Sequence, residues 1–276
     1  MLGGSFALDL KACGLPGRVL GVSRDPKTYP EPVAAAIRPA SLEQALAEAD
    51  VILLCGPVLA SLARIEAIGP LARPGTLITD IGSTKRAVME AASRHVAGAG
   101  FLGGHPMAGK QYPGIEHAET GLFRGRTWFL VEGTPNPPHR AAFVELLDRI
   151  GAVVRWIDAE THDRSVAYTS HLPQILSSAL AASLNGAIPP AAAAERCGQG
   201  LRDMLRISES DWGMWRDILA TNADFIAEAV EIFSARLKQI APERHIGQRV
   251  VPEDLTSAEA IFGEGRAFTS ALPPRK

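Results

Sequence analysis

The stretch "MLGGSFALDLKACGLPGRVLGVSR", residues 1–24, decides the fold. Gly3 and Gly4 stand directly before a helical pattern carried by Phe6, Leu8, Leu10 and small alanines, which ends at Gly14. A Pro-Gly turn follows, then a strand-like run from Arg18 to Val22. Glycines, helix, turn and strand in this order read as the middle of a dinucleotide-binding βαβ unit. The first strand and first glycines of G-x-G-x-x-G are not among these residues, so the expectation is that they precede Met1. In the usual strand order that strand is central, and without it two neighbours lose their ladder partners.

Working outward, short β-rich runs alternate with helical patterns. "RVLGV" (18–22), "DVILLCG" (50–56), "GTLITDIG" (75–82), "FLGGHP" (101–106), "TWFLVEG" (127–133) and "VVRWID" (153–158) read as strands. Helix-like stretches lie near 42–49, 58–69, 84–95 and 139–150. Such alternation predicts a mostly parallel sheet with right-handed crossovers. From Ala159 the strands stop. Val166, Ala167, Leu172, Ile175, Leu176, Ala179 and Leu180 trace an apolar face at helical spacing. Ile218, Leu219, Phe225, Ile226, Ala229, Ile232, Phe233 and Leu237 trace a second. The expected division is a dinucleotide-binding domain over 1–158, a helical domain over 159–246 and a loosely attached tail over 247–276. Helices with faces this apolar need a partner surface, and a homodimer core is expected to supply it.

Composition excludes several classes. A net charge of −2 leaves no electrostatic footprint for nucleic acid. The longest apolar run, around 51–63, is broken at Gly56-Pro57 and is too short to span a bilayer. The N-terminus has no signal-peptide pattern. Cys13, Cys55 and Cys197 are odd in number and far apart, which suits a reducing cytoplasm and argues against a disulfide framework or a zinc site.

Four stretches carry chemistry. In "DIGSTK" (80–85) Ser83 opens a helix after a tight turn, either as its N-cap or as a hydroxyl facing a ligand at the carboxyl edge of the sheet. In "GGHPMAG" (103–109) His105 follows a buried strand among residues that free or fix the backbone, and reads as an acid, a base or a structural histidine. In "SHLPQ" (170–174) Pro173 should kink a helix at a cost of about 3 kcal/mol unless compensated. His171 then sits at the kink, as a ligand contact or a buried histidine. In "GQGLRDMLR" (198–206) Arg202 and Arg206 share a helical face, as a solvated surface or a carboxylate clamp.

Taken in order, "GGSFALDLKACG", "DIGSTK", "GGHPMAG", "SHLPQ" and "GLRDMLR…MWRDI…N" resemble the prephenate dehydrogenase family of tyrosine biosynthesis. The resemblance runs from Met1 to about Ile240. It implies a Rossmann-like α/β domain joined to an all-α dimerisation domain, and the oxidative decarboxylation of prephenate to 4-hydroxyphenylpyruvate. By the same resemblance His105 assists removal of the 4-hydroxyl proton. Ser83 orients His105 and the nicotinamide, Arg206 pairs with a substrate carboxylate, and His171 lines the pocket. Gly3, Gly4, Gly56, Pro57 and Ser83 fall to the cofactor. Leu205 stands where the family usually has threonine.

Two finer expectations follow. Gln111 stands where some relatives place an acid, and an amide offers no counter-charge to the amine of arogenate, so prephenate is the expected substrate. After "RVLGV", Ser23 and Arg24 replace the acidic residue of an NAD site, so NADP is preferred with NAD still usable. Asp25 and Glu116 are the residues that would reverse these two readings. An arogenate dehydrogenase and a non-catalytic nicotinamide-binding regulatory module are the alternatives.

Overall fold

The computed structural model describes residues 1–15, 17–23, 29–110, 114–241, 251 and 255–273. They form two compact units, Met1–Ala223 and Asp224–Lys276. In chain order the first unit opens with α1 (Leu2–Ala12), β1 (Leu20–Gly21), α2 (Glu31–Ala34), β2 (Arg38–Pro39), α3 (Leu42–Glu48) and β3 (Val51–Leu54). It continues with α4 (Val58–Ile68), β4 (Leu77–Asp80), α5 (Arg86–His95), β5 (Gly100–Pro106), β6 (Thr127–Glu132), α6 (Arg140–Arg149) and β7 (Val153–Trp156). Only helices follow: α7 (Ala159–Val166), a π turn over Ala167–His171, α8 (Leu172–Ala187), α9 (Pro190–Arg196), α10 (Gln199–Leu205) and α11 (Trp212–Thr221). α12 (Ala223–Ile240) leads into the second unit, which also holds α13 (Thr256–Ala271).

The strands lie in the order β3-β4-β5-β6-β7, and every pairing is parallel except β5 with β6. β1 and β2 form a separate parallel pair. Among the described residues no strand joins the two sheets. α1 bridges them instead: Phe6 packs on the larger sheet, while Ala7 and Leu8 pack with Val33 and Ile37 beside the smaller. Gly3 and Gly4 lie inside the first turn of α1 rather than before it.

Alternation along the strands builds a core on each sheet face. Leu77, Leu102, Trp128 and Leu130 point to one side, under Phe6 of α1 and Phe143 of α6. Their neighbours Ile78 and Phe101 point to the other, against Ile65 of α4 and Val88 of α5. Helices on both faces of one sheet make the doubly wound arrangement that places ligands at the carboxyl ends of the strands.

The irregularity expected at Pro173 meets a π turn: α7, the π turn over Ala167–His171 and α8 follow one another with helical backbone at Val166, His171 and Leu172, so the ladder widens directly before the proline. α8 buries Gln174 and Ser177, while Leu172, Ile175, Leu176, Ala179 and Leu180 keep solvent contact within the single chain. The stretch 247–276 contains the sixteen-residue α13, and its Glu264 pairs with Arg236 of α12 at 3.3 Å.

Candidate active site

The turn after β4 is organised by Asp80. This fully buried carboxylate accepts from the backbone N–H of Gly82 (2.7 Å) and of Gly104 on β5 (3.0 Å), and from the buried ammonium of Lys85. Burial pushes the Lys85 pKa down and Asp80 opposes that shift. A side chain at Gly104 would collide with the Asp80 carbonyl oxygen, so the strand bearing His105 can approach β4 this closely only with glycine there.

His105 follows on β5, opposite Phe129 of β6 in register, and is buried. Its Nδ1 lies 2.8 Å from Nε2 of His162, and Nδ1 of His162 lies 2.7 Å from Oδ1 of Asp163. Both partners come from α7 and are fully buried. The Phe129 ring meets His162 edge-on. The Asp163 carboxylate also accepts from the backbone N–H groups of Lys85 (2.6 Å) and Arg86 (2.9 Å).

That contact corrects the reading of Ser83 as a helix cap. α5 starts at Arg86, three residues later, and its orphan amides are satisfied by a carboxylate from another helix. Ser83 itself is half-buried in the β4–α5 turn.

His171 joins the same cluster through Asn222. The Asn222 amide donates to the Asp163 carbonyl (2.8 Å), stands 3.3 Å from His171 Nδ1, and accepts from Arg86 (3.1 Å). His171 is buried edge-on to Trp215. Burial first, then the neighbouring His162, Lys85 and His171, holds His105 well below the usual imidazole pKa. Burial pushes His171 down to about 4, with Asp163 opposing. Both rings are neutral at neutral pH, and a neutral imidazole is a proton acceptor.

Gly3, Gly56 and Pro57 come together at the carboxyl end of β3. A Cβ on Gly3 would stand 2.7 Å from the Cys55 sulfur, and Pro57 precedes the first residue of α4. Gly4 faces Ala118 and Ile115 as closely. Ser23 is exposed just past β1. Arg206 is exposed at the C-terminal end of α10, unlike the buried histidines. Arg24 and Gln111 lie outside the described residues.

His162 and Asp163 were not singled out in the sequence, and Asn222 stood only as the last residue of the "MWRDI…N" motif, with no role attached. Adjacent His-Asp in the first turns of a helix carries a weak signal, and nothing local links it to a histidine on β5.

With this geometry in place, residues 6–156 match the family model described as prephenate dehydrogenase, nucleotide-binding domain, and residues 158–249 match prephenate dehydrogenase, dimerization domain. The chain belongs to the prephenate dehydrogenase family. A prephenate dehydrogenase of Lactococcus lactis is 30% identical over all of this chain and 76% of its own length. One from Bacillus subtilis is 28% identical over all of this chain and 75% of its own. Among solved structures, the Aquifex aeolicus prephenate dehydrogenase in complex with hydroxyphenyl propionate and NAD+ superimposes with a TM-score of 0.79. It is 26% identical, covering 98% of this chain and 92% of that one. A Synechocystis arogenate dehydrogenase, also 26% identical, gives 0.75 over 97% and 96%. Among the described residues no single helix of this family member is long and apolar enough to cross a membrane.

Proposed function

We propose that this chain catalyses the nicotinamide-dependent oxidative decarboxylation of prephenate to 4-hydroxyphenylpyruvate. The observation that carries the reading is His105: buried, neutral and fixed at the carboxyl end of β5 by the His162–Asp163 chain. The residues fit a dinucleotide. The first turn of α1 carries no acidic residue, and Gly3, half-buried, lies beside Cys55 at the carboxyl end of β3. When bound, the nicotinamide supplies the hydride acceptor.

The chain's own residues handle the proton and the charges. His105 accepts the proton of the 4-hydroxyl at Nε2 as the hydride leaves the same ring carbon. The bond to the ring carboxylate then breaks, CO₂ departs, its electron pair completes the aromatic ring, and the 4-oxygen takes its proton back from His105. Arg206 is assigned a substrate carboxylate, since its planar fork suits bidentate pairing. Ser83 orients His105 and the nicotinamide, and His171 lines the pocket. Gly3, Gly4, Gly56, Pro57 and Ser23 border the dinucleotide, with Arg24 favouring NADP over NAD. Gln111, lacking a charge for an amine, favours prephenate over arogenate.

A homodimer is supported by the apolar residues left exposed on the helices, including Trp212, Phe262 and Phe268. The three free cysteines suit a cytoplasmic setting.

The test is turnover by purified protein, with prephenate and with arogenate, read as reduced cofactor. Prephenate is expected to give the higher kcat/KM. Preference for arogenate would transfer the reading to that substrate, and no turnover with either would leave a binding module.

A further inference from the structure

His105 has two ring nitrogens, and base catalysis requires that one of them keep its lone pair toward the substrate. The structure contains a device that selects which. Asp163 accepts from two backbone N–H groups at the start of α5, at 2.6 and 2.9 Å. A carboxylate with this role is an acceptor. The His162 nitrogen 2.7 Å away must therefore carry a proton, because two facing lone pairs at that distance would repel. With Nδ1 of His162 protonated, its Nε2 is an acceptor, and the His105 Nδ1 at 2.8 Å is the donor. Direction propagates along the chain, and Nε2 of His105 is left with the lone pair.

We infer that His162 and Asp163 are positioning residues that hold His105 in the Nδ1–H form and keep its Nε2 ready to accept the substrate proton. The inference rests on the role given to His105 above. The surroundings make such a device useful. His105 is faced by Lys85 from the β4–α5 turn, whose ammonium disfavours a positive ring. Lys85 is paired with Asp80. Asp163 is thus the carboxylate connected to His105 by hydrogen bonds when the ring gains its proton. The proton ledger is simple: the hydroxyl proton moves to Nε2, and the Nδ1 proton stays in the bond to His162 as the ring becomes imidazolium.

The experiment is ¹⁵N NMR of the histidine ring nitrogens in the whole labelled protein without substrate, alongside steady-state kinetics. Wild type is expected to show His105 protonated at Nδ1 and bare at Nε2. His162→Phe removes the acceptor, so the Nδ1–H preference should vanish and kcat should fall at least about tenfold with KM little changed. His162→Gln retains an amide oxygen as acceptor and is expected to recover most of both. A wild-type His105 protonated at Nε2 would overturn the inference, and that reading needs no variant. An unchanged tautomer in His162→Phe, or a Gln variant as impaired as the Phe variant, would do the same. Because the spectra need no turnover, failure of the proposed activity remains distinguishable from failure of this assignment.

Discussion

His105 Nδ1 and His162 Nε2 lie 2.8 Å apart across 57 residues of sequence. The first ring belongs to the sheet and the second to the first helix after it, so His105 is held from outside its own layer. Asp163, next to His162, simultaneously supplies the acceptor that α5 lacks at its start. One short segment of α7 therefore does two tasks. It terminates a helix of the nucleotide-binding fold and fixes a ring at the carboxyl edge of the sheet.

Replacing His105 by Asn removes the proton acceptor while keeping a polar side chain of similar reach. The catalytic rate is expected to fall by roughly 10²–10⁴-fold, the usual worth of a positioned base. Cofactor affinity should change little. Near-normal turnover would make His105 a structural histidine.

A second carboxylate caps the neighbouring helix in the same manner. Asp217 of α11 accepts from the Leu59 backbone N–H of α4 at 3.0 Å and is buried. Asp217→Ala leaves that donor without its carboxylate and is expected to cost about 0.5–2 kcal/mol. Urea unfolding of wild type and variant measures it. Equal midpoints and slopes would show that the contact contributes nothing.

The α/β half of the fold was legible because its signals are local. Runs such as 50–56 and 127–133 carry enough apolar residues to mark buried strands, and β3 and β6 lie within them. His105 and His171 stood out because glycine or proline flanks them. His162 and Asp163 did not, since their importance arises from contacts with β5 and α5 that no spacing rule reports. Ser83 was misread as a cap for the related reason that a serine after a tight turn resembles one, whereas a distant carboxylate holds that position. Residues 256–271 fall in the stretch read as a loosely attached tail, because the sequence after Ile240 is polar and dotted with proline and glycine, and α13 forms within it.

Arg206→Ala tests the carboxylate clamp. Loss of a charged, bidentate partner is expected to appear mainly as a raised KM for prephenate, by about tenfold or more, with a smaller change in kcat. An unchanged KM would remove Arg206 from the substrate site.

Cofactor choice is tested through Arg24. With Ser23 and Arg24 where an NAD site carries an acid, kcat/KM is expected to be higher for NADP than for NAD. Arg24→Ala should reduce the NADP value selectively, because only NADP presents a 2′-phosphate to the guanidinium. A wild-type preference for NAD, or equal losses with both cofactors, would refute the assignment.

The buried histidines also set how stability responds to acid. His171 titrates near 4 in the folded chain against 6.5 in the open chain, since burial disfavours its charged form. Between those values the unfolded state binds a proton that the folded state does not, so stability falls as pH falls. Above pH 6.5 the contribution is complete, and below 4 it is gone. One such group is worth about 1.4 kcal/mol per pH unit inside the window, or about 2 kcal/mol between pH 6.5 and 5. His105, also held low by burial, acts in the same direction. Carboxylates elsewhere add their own acid sensitivity, so the informative quantity is a difference between proteins. Urea unfolding of wild type and His171→Gln at pH 7, 6 and 5 supplies it. The variant is expected to be less stable at pH 7 yet to lose less on acidification, by close to one proton in the slope. Parallel curves for the two proteins would show that His171 does not titrate in this window.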